Sequence, residues 1–540
     1  MFGFSKSPSS HKIPTKHMLS LYLKPGEAQK TLSELTMRPK LAIGYCLPNT
    51  DFASLTREIK SALGESCTLI MASSAGLLCS RHLHTPLPKF YGDGIDGMGA
   101  SLMLFSSEMI DHIHIVELNL GTQYSDPNEQ IAFIEKEIKN ITPPPFKVEH
   151  HNTLAYTLID GLSGAESFLM ESIYNAGRLP CLYVGGSAGG KLDFQNTYIY
   201  NDKQIVQGKA VITYVKFRPD FHFGIFKTQN FKPTATKFVV LNSNVKTRTL
   251  SEFLDTKHYR SINVLDALAE HFGCDVAQVP EKMKSYAFGV KINNEVYVRS
   301  IANFDIEGKK ISMYCDIDRG EELFLLERVD LYAHTQQDYA RFAANKPKPL
   351  GGIFNDCILR RLNNSATLEK MNLFADVPVV GFSTFGELLG VNINETLSAV
   401  FFYHVQQTHG STGFSDEILD SFHLQYSQFK TYFLQRKLSR LELIDTIHKL
   451  MLKQLGSSIP TLKSASDTLE LVSRDFAQME THLDEVDMQF NDFAQNLEDS
   501  MHSGSQEMDL GAQISHLLDE IDDLNRVLDI IAGIADQTNL

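Results

Sequence analysis

A short pattern recurs three times along the chain: an apolar run enters a serine-containing turn that closes on glycine. The copies are Leu69-Ile70-Met71-Ala72-Ser73-Ser74-Ala75-Gly76, Leu182-Tyr183-Val184-Gly185-Gly186-Ser187-Ala188-Gly189 and Val379-Val380-Gly381-Phe382-Ser383-Thr384-Phe385-Gly386. Small residues let backbones approach closely, and the N–H groups of such a turn can hold a carboxylate or another anion. The plainer reading is a buried strand entering a tight turn. On the ligand reading, Gly185, Gly186, Ser187, Ala188, Gly189, Gly381 and Ser383 line a binding site. Arg299 would pair with a ligand carboxylate through its planar fork, and Glu387 would accept a ligand ammonium. Both side chains are equally suited to an ion pair within the protein.

Two other chemistries compete. Cys357, with a distant histidine, would form a nucleophile–base pair, and a glycine turn would supply the oxyanion hole. A cysteine is as readily a small buried apolar residue. Haem would need an axial histidine in an apolar pocket, and the candidates are His112 and His114 on one face of a strand and His404 at the end of another. A lone histidine on an apolar strand also reads as a satisfied core residue. The chain has no Cys-x-x-Cys-His run for the usual covalent attachment, so haem stands as an unlocated possibility.

These residues need a scaffold, and the sequence predicts one rich in strands. Runs dense in Val, Ile, Tyr and Phe predict strands at Leu41–Tyr45, Thr68–Met71, Leu102–Phe105, His112–Leu118, Leu154–Leu158 and Cys181–Val184. Further strands are expected at Ala210–Phe217, Lys237–Leu241, Tyr286–Ile292, Val296–Ile301, Ile311–Cys315 and Ala399–His404. Helices are expected at Asp51–Leu63, Glu166–Ala176 and Val264–His271. The fold class is therefore α/β, or mixed α+β, with sheets dominating. Ser421 to Leu455 predicts one long helix that leans basic through Lys430, Arg436, Lys437, Arg440, Lys449 and Lys453. Gly456 to Pro460 then breaks it.

The last eighty-odd residues are of another kind. Apolar or small residues at Leu510, Ile514, Leu517, Ile521, Leu524, Leu528, Ile531, Ala535 and Thr538 are spaced 4-3-4-3, the seam of a coiled coil. A second run precedes it from Ala465 to Leu497. From Pro460 onward there are 3 Lys or Arg against 18 Asp or Glu, so the rest of the chain holds 47 of each and the net charge of -15 lies in the tail. A neutral body with an acidic rod offers no basic footprint for nucleic acid. Seven cysteines without a Cys-x-x-Cys pair point to a reducing compartment rather than a disulfide or zinc framework. No apolar stretch reaches the eighteen or so residues a membrane span needs, and the start of the chain lacks a signal core. The expected location is cytoplasmic.

Over roughly residues 36 to 412, about two thirds of its length, the chain resembles the FIST sensory family of bacteria. The resemblance rests on Gly161-Leu162-Ser163-Gly164-Ala165-Glu166, Gly185 to Gly189, Gly208-Lys209-Ala210-Val211, Tyr297-Val298-Arg299-Ser300, the Asp316 to Gly320 turn, Phe354 to Cys357 and Gly381 to Glu387. It implies two related modules, FIST N-type at 36–245 and FIST C-type at 246–412, after an extension at 1–35. It also implies a ligand-sensing input fused to an output, with amino acids among the proposed ligands and haem-bound nitric oxide sensing in some members. The haem sensor is thus one alternative function, and a hydrolase-like enzyme with a dimerisation rod is another.

The ending Ile534-Ala535-Asp536-Gln537-Thr538-Asn539-Leu540 resembles the start of the cytoplasmic tip of methyl-accepting chemotaxis receptors. That resemblance implies a transmitting helix or linker at 413–459 and a signalling coiled coil at 460–540. It implies a homodimer through the coil, and a histidine kinase and coupling protein as partners where the tip is present. The matched run stops where that tip begins. Receptor methylation would fall on Gln506-Glu507, which lies beside Ser503, Gly504 and Ser505.

Overall fold

In the computed structural model the described residues are 17–80, 91–92, 97–256, 258, 260–406 and 413–457, with isolated positions between 477 and 492. The heptad seams, the receptor-like ending and Gln506-Glu507 lie outside them.

Three units share one construction: a strand, a crossover of one or two helices, and a second strand parallel to the first. Pro39–Cys46, the helix Phe52–Leu63 and Thr68–Ser73 make the first. Thr153–Ile159, the helix Glu166–Ala176 and Tyr183–Ser187 make the second. Gly351–Cys357, the short helices Ile358–Asn363 and Ser365–Leu368, and Val379–Thr384 make the third. Parallel strands are covered on both faces and so read as unbroken apolar runs, as Leu41 to Cys46 does. The first crossover helix is amphipathic, burying Phe52, Leu55, Thr56 and Ile59 on one stripe, and the Asp51 carboxylate caps it by accepting from Ser54 N at 3.0 Å.

Each parallel pair sits inside its own six-stranded sheet, completed by antiparallel neighbours. The second and third of these sheets draw strands from both halves of the chain. Leu77–Ser80 pairs with Val379–Thr384, and Gly386–Leu389 pairs with Tyr183–Ser187. One residue from the first strand of each unit meets at the centre: Tyr45 hydroxyl lies against Tyr156 hydroxyl, which donates to Asn355 Oδ1 at 2.7 Å. Around them Tyr45 stacks on Phe382 at 4.3 Å and Phe105 meets Phe402 edge-on at 5.0 Å, joining the first sheet to the third.

A fourth, eight-stranded sheet is wholly antiparallel. Its terminal strands in sheet order, Glu295–Arg299 and Ile301–Asp305, are separated in sequence only by Ser300. The sheet therefore curls until its two ends meet, around a core that includes Phe253, Phe288, Ile311 and Leu323. The expected strand Val296–Ile301 is thus broken at Ser300.

Other expectations shift in instructive ways. Residues 18–23, read as part of an extension, form the edge strand Met18–Leu23 of the first sheet. The strand expected at Cys181–Val184 runs instead from Tyr183 to Ser187, so Gly185 and Gly186 lie inside it. A Cβ on Gly185 would come within 2.0 Å of Thr157 O, and only glycine permits that approach. The long helix is Phe422–Ser457, close to the expected bounds, and it buries Phe429 and Phe433 against the body.

Candidate functional site

The carboxyl ends of the three parallel pairs converge, and the three serine–glycine turns hydrogen-bond to one another there. Gly189 N donates to Ser73 O at 3.0 Å, Ser383 N to Gly76 O at 2.7 Å, Ala75 N to Ser383 O at 3.1 Å and Phe385 N to Ser187 O at 3.2 Å. These N–H groups hold neighbouring turns together. The recurrence in sequence is thus a recurrence in structure: each copy ends the second strand of one unit.

Each turn's serine stands opposite the end, or next to the end, of the first strand of its pair. Ser73 stands opposite Cys46, Ser187 opposite Ile159 and Ser383 opposite Asp356. Their hydroxyls have different partners. Ser187 donates to Glu166 Oε1 at 3.0 Å, and Glu166 is ion-paired with Arg248. Ser383 accepts from Arg361 Nη1 at 3.3 Å, beside the fully buried Asp356–Arg360 pair at 3.0 Å. Ser73 donates to Gly189 O at 2.6 Å and accepts from Tyr198 N at 2.8 Å.

Arginine therefore occupies the second and third ends, while the first opens into a crevice of about 420 Å³. Its walls are Leu47, Pro48, Phe52 and Ile205 on the apolar side, and Asp51, Ser73, Lys191, Asp193 and Asn196 on the polar side. Phe52 and Tyr198 stack at 5.6 Å to form one wall. Open α/β sheets bind ligands in this position, outside the carboxyl ends of the strands. An ammonium, two carboxylates and an aromatic wall suit a small molecule with both charged and apolar parts.

The family models agree with this architecture. A FIST N domain matches residues 40–255 and a FIST C domain residues 264–389. The chain carries both FIST domains. FIST domains are sensory and ligand-binding rather than catalytic, so the body is a sensor module. No curated protein matches the chain.

Within the FIST body the expected site residues fall into separate places. Gly185 to Gly189 and Gly381 with Ser383 form the joint of turns, and its Gly189 end runs into the crevice wall at Gly190. Arg299 lies elsewhere: its buried guanidinium donates to Asn392 O at 2.6 Å and to Tyr432 hydroxyl, on the long helix, at 3.2 Å. Glu387 is buried, accepting from Thr384 hydroxyl and from Thr396 N at 3.3 Å. Burial, reinforced by the charge of Asp356, pushes its carboxyl well above the usual range despite these bonds. Cys357 is fully buried beside it, and burial with the nearby Glu387 raises its thiol well above the ordinary value. A thiol held protonated next to a carboxyl is a poor nucleophile.

The three histidines have polar or already filled surroundings, which do not suit an axial ligand in an apolar haem pocket. His112 is exposed and lies 3.1 Å from Asp111, and His114 Nε2 is 3.1 Å from Thr142 O. The His404 ring is wedged between Phe221 at 4.9 Å and His17 at 5.2 Å.

The residues that sequence reasoning missed are those that tie the long helix down. Arg436 bonds Asp316 at 2.7 Å and lies 3.2 Å from Glu321; Arg440 reaches Asp318 and Lys437 reaches Glu171 at 2.7 Å. Tyr432 hydroxyl donates to Glu321 at 3.0 Å. Burial alone would raise the Asp316 carboxyl, but Arg436, Ser167 and Arg248 outweigh it and bring it down to about 2. Glu321, where burial leads and the neighbouring Asp318 adds to it, is shifted the other way despite Arg436. The basic lean of the helix was the available signal; its acidic partners Asp316, Asp318 and Glu321 cluster in one turn more than a hundred residues upstream, and nothing local shows that the two meet.

Proposed function

We propose that the chain is a cytoplasmic signal-transduction sensor whose FIST body binds a small charged ligand and passes its occupancy to the helix Phe422–Ser457. The crevice carries the reading, because among the described residues it is the open one of three carboxyl ends of the same construction. Lys191 meets a ligand carboxylate, Asp193 or Asp51 meets an ammonium, and Phe52 with Tyr198 receives the apolar part. The joint of turns from Gly185 to Gly189 and Gly381 to Glu387 backs the site, and Arg299 reads the change at the helix. Beyond the helix, the acidic coiled coil would pair two chains and, given a receptor tip, engage a histidine kinase and its coupling protein. Amino acids are the first ligands to try, since they combine all three groups.

Calorimetry of the full chain against an amino-acid panel tests this. A binding amino acid is expected to lose about tenfold in affinity on Lys191→Ala, the loss of one charge-assisted bond. A panel without binding, or equal affinity for wild type and Lys191→Ala, overturns the assignment of the crevice.

A further inference from the structure

The crevice and the output helix do not touch, yet one buried element contacts the helix and, through the joint of turns, the crevice wall. The crossover helix Glu166–Ala176 buries every residue from Glu166 to Asn175, so it cannot bend locally without disturbing packing on all sides. Its first turn holds the joint of turns: Glu166 Oε1 accepts from Ser187 hydroxyl at 3.0 Å, two residues before the Gly189 carbonyl that accepts from Ser73 in the crevice wall. The other Glu166 oxygen pairs with Arg248, whose Nη1 also donates to Tyr314 O at 2.5 Å. The next residue, Ser167, donates to Asp316, the carboxylate that holds Arg436 of the output helix. One turn further on, Glu171 pairs with Lys437 at 2.7 Å. At the far end Tyr174 packs on Tyr426 of the output helix at 5.0 Å and donates to Gly390 O at 2.7 Å.

We propose that this helix is the lever between ligand site and output, and that Glu166 is the positioning residue through which movement at the Ser73–Gly189 contact reaches Asp316 and Arg436. The proposal rests on the crevice being the ligand site, but its mechanical part does not. Contacts that run unbroken through one rigid element are what coupling between distant sites requires, and non-additivity between substitutions is what demonstrates it.

The experiment needs no ligand, because Ser73→Ala disturbs the crevice contact directly. Hydrogen exchange of backbone amides 429–441 is followed in the full chain for wild type, Ser73→Ala, Glu166→Gln and the double variant. Ser73→Ala is expected to speed exchange there about fivefold or more, and to change it less than about twofold once Glu166→Gln is present. Arg436→Gln, which loosens the helix itself, is the positive control. A substitution that merely weakened the fold would speed exchange throughout, so amides of Lys209–Phe217, in the second sheet, serve as the reference and are expected to hold steady. Additive effects overturn the lever, as does an unchanged helix under Ser73→Ala when Arg436→Gln moves it. If the coupling is found while the crevice binds nothing in calorimetry, the lever stands and the ligand assignment alone falls.

Discussion

The first and third parallel pairs end in the same serine–glycine turn, and they have opposite fates. At the third end the pocket that the topology creates is filled by protein: Asp356 and Arg360 pair in full burial, and Arg361 bonds Ser383 of the turn at 3.3 Å, its Nη1 also within 1.7 Å of where a Cβ on Gly76, the glycine closing the first turn, would stand. At the first end the equivalent space is left as the crevice. The fold offers several sites of one kind, and side chains decide which of them admits a ligand. The second end lies between the two, since its Glu166–Arg248 pair fills it while leading on to the output helix.

The filling of the third end should be the costlier feature to undo. Asp356→Ala leaves a guanidinium buried without its main counter-charge, which costs about 3–5 kcal/mol in comparable cases. Urea unfolding of the full chain measures it, and a loss below about 1 kcal/mol would mean that Arg360 is held by other contacts and that the pair is not what closes this end.

The second end responds to acid. The Asp316 carboxyl is about 2 in the folded chain against 3.8 in its ordinary state. Being depressed, it contributes stability that is complete above pH 3.8 and is lost as the pH falls through about 2. The linkage amounts to about 2 kcal/mol. The gap in unfolding free energy between wild type and Asp316→Asn should therefore narrow by roughly that amount between pH 5 and pH 2. A gap that stays constant would show that the carboxylate gains nothing from Arg436.

Much of this was open to sequence reading, and the limits have physical causes. The units announced themselves: Asp51 before an amphipathic run, and apolar strands too continuous to be one-faced, mark strand–helix–strand construction. The strand Phe221–Gln229 was hidden by Gly224 and alternating polar residues, and Met18–Leu23 by its place at the chain's edge. The helix Pro127–Lys139 had a readable start, with Asp126 accepting from Asn128 N at 2.6 Å and proline at its head. What sequence could not give was pairing across distance. Arg299 looked like a ligand fork because its partners, Asn392 and Tyr432, lie 93 and 133 residues away. The three turns looked like anion cradles because nothing local shows that they satisfy each other.

The smallest expected effect concerns the plug itself. Gly76→Ala, at the glycine that closes the first turn, would put a methyl group where Arg361 Nη1 of the third unit now lies, but that atom is the far end of a flexible side chain. The guanidinium can swing away, giving up its 3.3 Å bond to Ser383 hydroxyl, a long and therefore modest contact. The expected loss is about 1 kcal/mol, that of one ordinary hydrogen bond. The decisive reading is the pair with Arg361→Ala. Because removing the arginine also removes the clash, the two substitutions should together cost less than the sum of their separate losses, by about 0.5 kcal/mol or more. Strict additivity in urea unfolding would mean that Arg361 is not what glycine at 76 accommodates, and the contrast between a filled and an open end would lose its main support.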